Sequence, residues 1–417
     1  MGSVTTPSAD RRATVSLFHR LRTAEGQADP FPFYAELRGR GDVSPAPWGG
    51  HLVTGFGTCD RILRSPAWLE PDSNWRERQG ERTRWSAPSS REISRTLPAL
   101  NPPEHTRVRR SAGNFGRSTI EQLSGRVSEV ADRLVDTLHD RLRAGEADFI
   151  DLVSEELPVA TIGDWLGLPS ADWPRLRELT HEQVFTQELL PNAAQLARSD
   201  VAMAELRSYV MAVVRERRAR PGEDPVSRWI ATWDELEPDD RDKADDMVYS
   251  LTLFVLLAAL DTTATLLSMM TYLLVEDPDR WGRLAAEPDL VPGFVEEALR
   301  YDPPIHVISR VAAQDCVLEG VEVHEGEMVH LMVGAAHRDP ARFTDPDSFD
   351  PRRNPTHIAF SGGIHHCLGA PLARLEAQAL LRAMITRLPR LTLVRRPEWA
   401  SRRVAFRRLM NLDLALS

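Results

Sequence analysis

A ten-residue segment toward the end of this sequence places a single cysteine among small residues, directly before a stretch that favours helix. The segment runs Phe-Ser-Gly-Gly-Ile-His-His-Cys-Leu-Gly from Phe360 to Gly369. A thiolate at a helix N-terminus is stabilised by free backbone N–H groups and the helix dipole, and such a sulfur is suited to metal ligation. Gly363 and Gly369 would let the backbone approach a flat ligand closely, and Phe360 would form an aromatic wall beside the sulfur. The competing interpretation of Cys367 is a buried, inert thiol, the more common state of a lone cysteine.

The overall composition limits the classes of protein to which this chain can belong. Its 417 residues are enough for one large domain or two ordinary ones, and 42% hydrophobic with 27% charged residues is typical of a water-soluble globular protein. The net charge of −10 argues against a nucleic acid as the main partner. The three cysteines, Cys59, Cys316 and Cys367, are far apart and odd in number. We therefore expect no disulfide framework, and a reducing cytoplasm is the predicted location.

Hydrophobic periodicity predicts a chain that is mainly α with a small β portion. No linker has the composition of a domain boundary, so we expect a single domain over residues 1–417. Strand-like alternation occurs at 51–55 and 317–323, and the polar, arginine-rich stretch 70–95 predicts a loop. A short helical pattern lies at 29–38, and the long ones lie at about 118–144, 152–166, 194–219, 244–275, 291–301 and 367–388.

No segment of the sequence predicts contact with a membrane. The longest strongly apolar run, Leu251 to Leu260, is too short to span a bilayer and leads into Asp261, so it predicts a buried helix. The first residues lack the apolar core that a secretory signal needs.

Two further groups of residues have a chemical interpretation. Glu297 and Arg300 are three residues apart on a predicted helix, so they can pair, although most such pairs are solvated contacts of little energetic value. Asp261 and Thr262 lie inside the most apolar predicted helix, where an ionisable side chain is costly unless it is paired or functional. The alternative for the second group is a back-bonded polar cluster without a chemical role.

The spacing Phe-x-x-Gly-x-His-x-Cys-x-Gly resembles the haem-ligand loop of the cytochrome P450 family. The similarity extends over nearly the whole chain, from Asp29-Pro-Phe-Pro to Arg338-Asp-Pro and beyond. It implies the P450 fold, with haem b between an oxygen-binding helix at about 244–275 and a cysteine-loop helix at about 367–388. The family's axial iron ligand is a cysteine thiolate, and Cys367 occupies that position here.

The resemblance implies a role for each of the two other groups. In the family, a Glu-x-x-Arg pair like Glu297 and Arg300 locks to a second arginine ahead of the haem loop. Arg353 lies in that segment here, and the three side chains would hold the loop in place. Asp261 and Thr262 match the acid–alcohol pair that delivers protons during oxygen activation.

The sequence departs from the family pattern at a few positions. Ala259 and Ser361 stand where glycine is usual, Asn101 where aspartate is frequent, and His337 where asparagine is frequent. None of these changes removes a ligand. Ala259 is still small enough to leave an oxygen pocket beside the helix, and Ser361 adds a hydroxyl near the sulfur.

The family also implies which residues bind the two carboxylates of the haem. Cations and N–H donors form charge-assisted hydrogen bonds with carboxylates. Taken singly, each such residue is as often a solvated surface residue. The matching positions in this chain are His105, Arg109, Arg310, His357 and His365.

The resemblance implies a haem-thiolate monooxygenase that inserts one oxygen atom of O2 into a hydrophobic small molecule in bacterial secondary metabolism. Hydroxylation and epoxidation are both compatible with it. No flavin or nicotinamide fingerprint is visible, so electrons are expected from a separate ferredoxin and its reductase. Arg107, Arg109, Arg110 and Arg374 match positions near the family's proximal face, and they predict either a docking patch for ferredoxin or haem contacts and solvated charges.

Two other functions remain open at this point. One is a haem-binding helper without oxygenase activity, and relatives of that kind often lose the cysteine or the acid–alcohol pair. The other is a peroxide-driven hydroxylase, whose relatives replace the acid–alcohol pair. Both alternatives are less compatible with a chain that keeps Cys367, Asp261 and Thr262.

The substrate itself cannot be derived from the sequence, but a candidate wall can. Most of the candidates are apolar, which favours a hydrophobic substrate, and packing in the core is the alternative for several of them. The candidates are Trp85, Phe185, Leu257, Ala258, Val307 and Ile308.

Overall fold

Helices dominate the computed structural model, which describes residues 9–81, 83–113 and 117–417. The helices of the first half of the chain are α1 (Ala9–Leu21), α2 (Ala24–Ala28), α3 (Phe31–Arg38), α4 (Phe56–Arg64), α5 (Ser73–Arg78), α6 (Pro88–Ile93), α7 (Glu104–Ser111), α8 (Arg117–Arg143), α9 (Glu156–Trp165) and α10 (Trp173–Gln183). Those of the second half are α11 (Ala193–Ala219), α12 (Pro225–Leu236), α13 (Arg241–Glu276), α14 (Pro278–Ala286), α15 (Val291–Tyr301), α16 (Val333–Ala336) and α17 (Ala370–Arg387).

The strands form small sheets, so the predicted class, mainly α with a small β portion, is confirmed. The strands are β1 (Val43–Pro45), β2 (His51–Val53), β3 (Trp68–Leu69), β4 (Ala147–Asp148), β5 (Val307–Ala312), β6 (Cys316–Leu318), β7 (Val321–Val323), β8 (Met328–Met332), β9 (Leu391–Leu393) and β10 (Asp413–Leu416). One sheet has the order β1-β2-β8-β5-β3, in which β2 and β8 are parallel and the other neighbours antiparallel. A second sheet places β10 between β4 and β9, and β6 pairs with β7.

The long helix α13 lies in the core. Its side chains are buried on nearly all sides from Ala244 to Val275, which is typical of a helix surrounded by other elements. Helices α9, α11, α12 and α17 pack against it. The helix begins three residues earlier than predicted because Asp240 caps it, accepting the N–H of Lys243 at 2.9 Å. It is long and apolar enough to cross a membrane. However, 78% of its most apolar 18-residue stretch is buried inside the protein, as in the core helix of a folded domain.

The stretch 70–95, predicted to be a loop, instead contains the helices α5 and α6. The Oδ1 of Asp72 accepts the N–H of Trp75 at 2.9 Å and starts α5, and Pro88 stands in the first turn of α6. Such caps are ordinary helix-start signals. Periodicity misses them here because six-residue helices are too short to display a repeat.

Two other predicted elements differ in detail. The strand pattern at 317–323 is the hairpin formed by β6 and β7, which turns at Glu319 and Gly320 with φ of 50° and 82°. The predicted helix 367–388 begins at Ala370, because residues 367–369 still belong to the loop that precedes α17.

Candidate active site

A mainly apolar cavity of about 420 Å³ is lined by both α13 and the cysteine segment 360–369. Leu257, Ala258 and Thr262 contribute to its wall from α13. Phe360 and Cys367 contribute to it from the cysteine segment. The fold therefore brings the two motifs of the sequence to the wall of one cavity.

Cys367 exposes its side chain to this cavity at the start of α17. Its N–H donates to the carbonyl oxygen of Phe360 at 2.9 Å, and the N–H groups of Gly369 and Ala370 bind its sulfur. Burial raises the pKa of the thiol, and these two N–H groups lower it by less. The helix terminus alone therefore does not produce the predicted thiolate. A metal ion on the sulfur would, because a coordinating thiol is deprotonated outright.

The two glycines of the segment have different roles. Gly363 has a φ of +61°, and a Cβ there would lie 2.6 Å from the carbonyl oxygen of Leu63 in α4. It allows the segment to approach α4 and does not line the cavity, which corrects the prediction that it faces a ligand. Gly369 does line the cavity, although a Cβ there would make only an ordinary contact, 3.9 Å from the Sγ of Cys367.

Four of the five predicted carboxylate-binding residues border the cavity: His105, Arg109, Arg310 and His365. The rings of His105 and His365 lie 4.3 Å apart. Burial and the nearby arginines lower the pKa of both rings, to about 3 for His365, so both are neutral near pH 7. The Nε2 of His105 is buried and has no hydrogen-bond partner in the described part of the chain. An orphaned polar atom beside two arginines fits a group that brings carboxylates into the cavity, as haem does.

The fifth residue, His357, is not part of the cavity wall, and its predicted role toward a haem carboxylate stays a prediction. Its Nε2 lies 3.1 Å from the Oε2 of Glu296 in α15. The Nε of Arg374 donates to the same carboxylate at 2.6 Å. Burial raises the pKa of Glu296, but Arg374 and His357 lower it by more, to about 2. His357 thus fastens the chain ahead of the cysteine segment to α15, while Arg374 stacks on Phe360 at 4.6 Å from the ring centroid.

Glu70 is a cavity residue that was not predicted from the sequence. Its Oε1 lies 2.5 Å from the Nη1 of Arg310 and 4.0 Å from the Nδ1 of His365. The side-chain amide of Asn101 holds its main chain, accepting the Glu70 N–H at 2.9 Å and donating to the Glu70 carbonyl oxygen at 3.0 Å. Burial raises the pKa of Glu70 to about 7, against the opposing effect of Arg310.

Two of the positions that depart from the family pattern form contacts of their own. Ser361 has a φ of +60°, and its Oγ accepts a long hydrogen bond of 3.4 Å from the Nη2 of Arg310. His337 is fully buried, and its Nε2 accepts the N–H of Ile358 at 3.0 Å. Burial lowers the pKa of His337 well below its usual value, so this ring is a neutral acceptor.

Glu297, Arg300 and Arg353 come together in a group that we call the brace. Glu297 and Arg300, both fully buried on α15, form a bidentate pair with N–O distances of 2.7 and 2.8 Å. The Nε of Arg353 and the N–H of Asp350 donate to the Oε1 of Glu297 at 3.1 and 3.0 Å. The remaining donors of Arg300 bind carbonyl oxygens within the segment 337–348. The brace therefore ties α15 to the chain that leads toward the cysteine segment.

Asp261 is buried and interacts with three basic residues from outside α13. Its Oδ1 lies 2.7 Å from the Nη1 of Arg408 and 3.7 Å from the Nε2 of His181, and its Oδ2 lies 4.0 Å from the Nη1 of Arg403. Burial raises the pKa of Asp261, but the two arginines and His181 lower it by more, so it is ionised near pH 7. Arg408 also binds the Oε1 of Glu155 at 2.5 Å, so the network contains a second acid.

Thr262 borders the cavity next to Asp261. Its hydroxyl donates to the carbonyl oxygen of Ala258 at 2.7 Å, the back-bonded arrangement common for threonine in helices. Helix α13 continues through Ala259 without interruption. The predicted acid and alcohol both line the cavity, but the carboxylate is held by the Arg408 network and the hydroxyl by its own helix.

Glu376 on α17 is a second acid that was not predicted. It lines the cavity, its side chain is buried, and its Oε1 has no hydrogen-bond partner among the described residues. Burial raises its pKa to about 8. Its position between Leu372 and Leu380, four residues away on either side, is the signal that could have revealed it, since a charge on an apolar helix face is unusual.

Five of the six predicted substrate-facing residues line the cavity: Trp85, Leu257, Ala258, Val307 and Ile308. Phe185 does not, which corrects that prediction. Its ring belongs to a separate apolar cluster, with the guanidinium carbons of Arg198 and Arg403 at 5.4 and 5.1 Å from the ring centroid. Its neighbours Val184 and Thr186 line the cavity instead.

The arginines predicted to dock a ferredoxin do not form one free patch. Arg107 donates to the carboxylate of Glu237 and to the carbonyl oxygen of Leu236. Arg374 is bound to a glutamate of α15, and Arg109 borders the cavity. Arg110 is exposed.

Comparisons with known proteins agree with this geometry. The family model described as Cytochrome P450 matches residues 187–392. The chain is 34% identical to cytochrome P450 monooxygenase PikC of Streptomyces venezuelae, over 88% of this chain and 85% of the relative. It is 32% identical to 6-deoxyerythronolide B hydroxylase of Saccharopolyspora erythraea, over 89% and 92%. The crystal structure of P450BioI in complex with a fatty acid-ligated acyl carrier protein is similar with a TM-score of 0.85 and 27% identity, covering 94% of this chain and 100% of that one.

Proposed function

Because this chain belongs to the cytochrome P450 family, we propose that haem b would bind in its cavity and that the Sγ of Cys367 would hold the iron. The chain is a P450 monooxygenase, an oxidoreductase that incorporates oxygen from O2, and haem b is its cofactor. The observation that carries the ligand assignment is the position of the cysteines. Cys367 exposes its sulfur to the cavity, whereas Cys59 is buried in α4 and Cys316 lies in β6, and neither lines the cavity.

The residues at the cavity edge support a place for the two haem carboxylates. We assign their binding to His105, Arg109, Arg310 and His365, since a carboxylate would satisfy the orphaned Nε2 of His105 and pair with the two arginines. Glu70 would then lie close to an added carboxylate. Its pKa of about 7 means that it can take up a proton there, which limits the repulsion.

The brace supports the presentation of Cys367 and does no chemistry. Arg300 and Arg353 use most of their donors to hold carbonyl oxygens of the chain ahead of the cysteine segment. Because this segment is held in place, the cysteine segment that follows it keeps the sulfur at one position in the cavity, as a ligand of the iron would require.

Bound haem supplies the oxygen-activating chemistry, and the protein positions the substrate and manages protons. In our proposal, Thr262 presents its hydroxyl proton to the cavity when it rotates away from the carbonyl oxygen of Ala258. Asp261 is ionised and can accept a proton and pass it toward Thr262 when its ion pair with Arg408 opens.

The mainly apolar wall supports a hydrophobic substrate. Relatives include a hydroxylase of 6-deoxyerythronolide B and a hydroxylase/epoxidase of mycinamicin IV. We therefore propose hydroxylation or epoxidation of a hydrophobic natural product in bacterial secondary metabolism. We further propose one domain over residues 1–417, a cytoplasmic location, and electrons supplied by a ferredoxin and its reductase.

The ligand assignment is tested by the spectrum of the reduced protein under carbon monoxide. We expect the long-wavelength Soret band of thiolate-ligated haem, and we expect Cys367→Ser to abolish it. Cys316→Ser is the matched control and should leave the band unchanged. A Soret band at the position of histidine-ligated haem in the unaltered protein would contradict the proposal.

A further inference from the structure

The part of the cavity wall that follows β3 carries two arginines around one indole. The guanidinium carbons of Arg76 and Arg84 lie 5.2 and 4.0 Å from the ring centroid of Trp85. All three side chains line the cavity. Arg76 is only 9% exposed and Arg84 is partly buried, so both charges are largely removed from bulk water.

Among the described residues, the hydrogen bonds of these arginines reach only neutral acceptors. The Nε of Arg76 donates to the carbonyl oxygen of Pro71 at 2.7 Å, and its Nη1 donates to the carbonyl oxygen and hydroxyl of Ser90 at 2.7 and 2.9 Å. The Nη1 of Arg84 donates to two consecutive carbonyl oxygens at 188–189. Within the described ranges, the Nη2 of Arg76 and the Nε and Nη2 of Arg84 have no acceptor.

Among the residues that the structure describes, no carboxylate forms an ion pair within 4.0 Å with either guanidinium. The acids whose charges act on them are already occupied: Glu70 by Arg310, Asp72 by the N–H groups of Trp75 and Asn101, and Glu188 by the N–H groups of residues 404–406.

The two like charges also act on each other. Burial lowers the pKa of each arginine to about 10, and the proximity of Arg76 lowers the pKa of Arg84 further. Both remain charged at neutral pH. Buried charges without a partner are unfavourable, and two of one sign are more so, which indicates that this part of the wall is suited to an anion.

A second observation points to the same place. The Oγ1 of Thr186 is buried and has no hydrogen-bond partner in the described residues, and the side chain, 5% exposed, lines the cavity. Thr186 lies two residues before the first of the carbonyl oxygens that Arg84 holds. A free hydroxyl therefore accompanies the free guanidinium donors.

We propose that Arg76, Arg84 and Thr186 form an oxyanion subsite for the substrate of this enzyme. The subsite takes a carboxylate or a phosphate monoester on an otherwise hydrophobic molecule. Each guanidinium presents N–H groups in a planar fork that matches two oxygens of such a group. Trp85 and the apolar remainder of the cavity contact the body of the molecule, so the substrate class is an amphipathic acid. This inference depends on the proposed function in one respect only: it assumes that the molecule bound at the subsite is the substrate.

The test compares acids with their neutral esters on the haem-loaded enzyme. The probes are decanoic acid, dodecanoic acid and a phenylalkanoic acid, each with its methyl ester, and decyl phosphate as the second anion. Affinity is measured by calorimetry, and the spin shift of the Soret band reports whether the probe reaches the haem side of the cavity. We expect acids to bind about 10- to 100-fold more tightly than their esters, the effect of one or two charge-assisted hydrogen bonds.

Variants assign this preference to the subsite. Arg84→Gln and Arg76→Gln should each remove most of it, Arg84→Lys should retain part, and Thr186→Val should reduce it a few-fold. Arg78→Gln, on the exposed side of α5 and outside the cavity wall, is the matched control and should retain all of it. Thermal unfolding confirms that each variant is folded.

Three outcomes would overturn the subsite. The first is equal affinity for acids and esters, or no binding of acids, across the whole panel. The second is a preference that survives in both glutamine variants. The third is a loss of haem content without a loss of preference in Arg76→Gln, which would assign that arginine to the haem carboxylates.

Failure of the proposed function would instead appear as a missing thiolate Soret band in the unaltered protein, and the calorimetric comparison does not depend on that band. A stronger preference for decyl phosphate than for decanoic acid would assign the subsite to phosphate esters.

Discussion

The brace and the oxyanion subsite each combine a buried arginine with a partly buried one, but they differ in what neutralises these charges. In the brace, Glu297 forms a bidentate pair with Arg300 and also accepts from Arg353. In the subsite, the acceptors that Arg76 and Arg84 bind among the described residues are all neutral oxygens. A group that contains its own acid is complete and stabilises the fold, whereas a group that lacks one is completed by what enters the cavity. The identity of the counter-group, more than burial, separates a structural charge from a binding one.

Removing the acid of the brace should produce the largest effect, because it converts the brace into an uncompensated group. Glu297→Gln leaves the fully buried Arg300 without a carboxylate. We expect a loss of about 3–5 kcal/mol in the free energy of unfolding, together with a loss of haem content. Denaturant titration and the haem-to-protein ratio measure the two effects.

The matched control for this substitution is Glu287→Gln, which removes the partner of Arg352 in an ion pair whose side chains are both about half exposed. It should cost less than about 1 kcal/mol. If Glu297→Gln and Glu287→Gln lowered the free energy of unfolding by the same amount, the buried carboxylate of Glu297 would not be what completes the brace.

Glu376 is the opposite case to the arginines of the subsite, since it is a buried acid without a cation among the described residues. Its pKa of about 8 in the folded protein exceeds its unfolded value, so the folded state keeps a proton that the unfolded chain loses as pH rises. The stability that the neutral carboxyl contributes is therefore lost as the pH rises from the unfolded pKa to about 8. When the pH rises from about 5 to 7, the free energy of unfolding should fall by about 2–3 kcal/mol because of this group.

Glu376→Gln should remove that part of the slope, as measured by denaturant titrations across the pH range. Glu235→Gln is the matched control, because Glu235 is exposed near the end of α12 and its substitution removes a solvated carboxyl. This control should leave the slope unchanged. Identical slopes for the unaltered protein and Glu376→Gln would show that the carboxyl of Glu376 is ionised throughout.

Thr262 carries a neutral hydroxyl next to Asp261, an acid whose charge is already paired with Arg408. Its substitution tests whether such a hydroxyl still has a function. Thr262→Ala removes the hydroxyl at the cavity and leaves the Asp261 network in place. We expect product formation to fall by about 10²-fold while electron uptake continues, because a proton donor contributes roughly that much to a rate. The ratio of product formed to electrons consumed measures the effect.

Thr252→Ala is the control, since its hydroxyl makes the same back-bond to the carbonyl oxygen of Val248 and does not line the cavity. It should leave coupling unchanged. Unchanged coupling in Thr262→Ala as well would remove this threonine from proton delivery.

The smallest expected effect concerns Ser361, which joins the cysteine segment to Arg310. Its φ of +60° is unfavourable for any residue with a Cβ. Ser361→Gly should stabilise the protein by about 0.5–1 kcal/mol, visible as a higher melting temperature. Glu319→Gly, at a φ of 50° in the β6–β7 turn, relieves similar strain away from the cavity. Destabilisation by Ser361→Gly alone would mean that the hydroxyl contact with Arg310 outweighs the strain.

The features that could be predicted from the sequence are those with a local pattern. Glu297 and Arg300 lie three apart on one helix, Cys367 precedes a helix start, and Asp261 interrupts an apolar helix. Each pattern fixes a geometry within a few residues. The long helices were predictable for the same reason, since their apolar faces repeat several times.

The partners of these residues were not predictable, because they come from distant parts of the chain. Arg408 reaches Asp261 from 147 residues away, and Glu70 meets Arg310 through a contact between β3 and β5. The side-chain contacts of His357 and Phe185 were not predictable for the same reason. Each depends on a neighbour that is distant in the sequence, Glu296 for His357 and Arg403 for Phe185.

The separation between Asp261 and Arg408 has a consequence for the synthesis of the protein. When α13 leaves the ribosome, its buried acid has no cation, and Arg408 follows only after 147 further residues. Leu412 and Leu414, which belong to the same core cluster as the second half of α13, appear later still. A nascent chain that ends before Arg403 therefore contains neither of the two arginines that face the carboxylate of Asp261 in the folded protein.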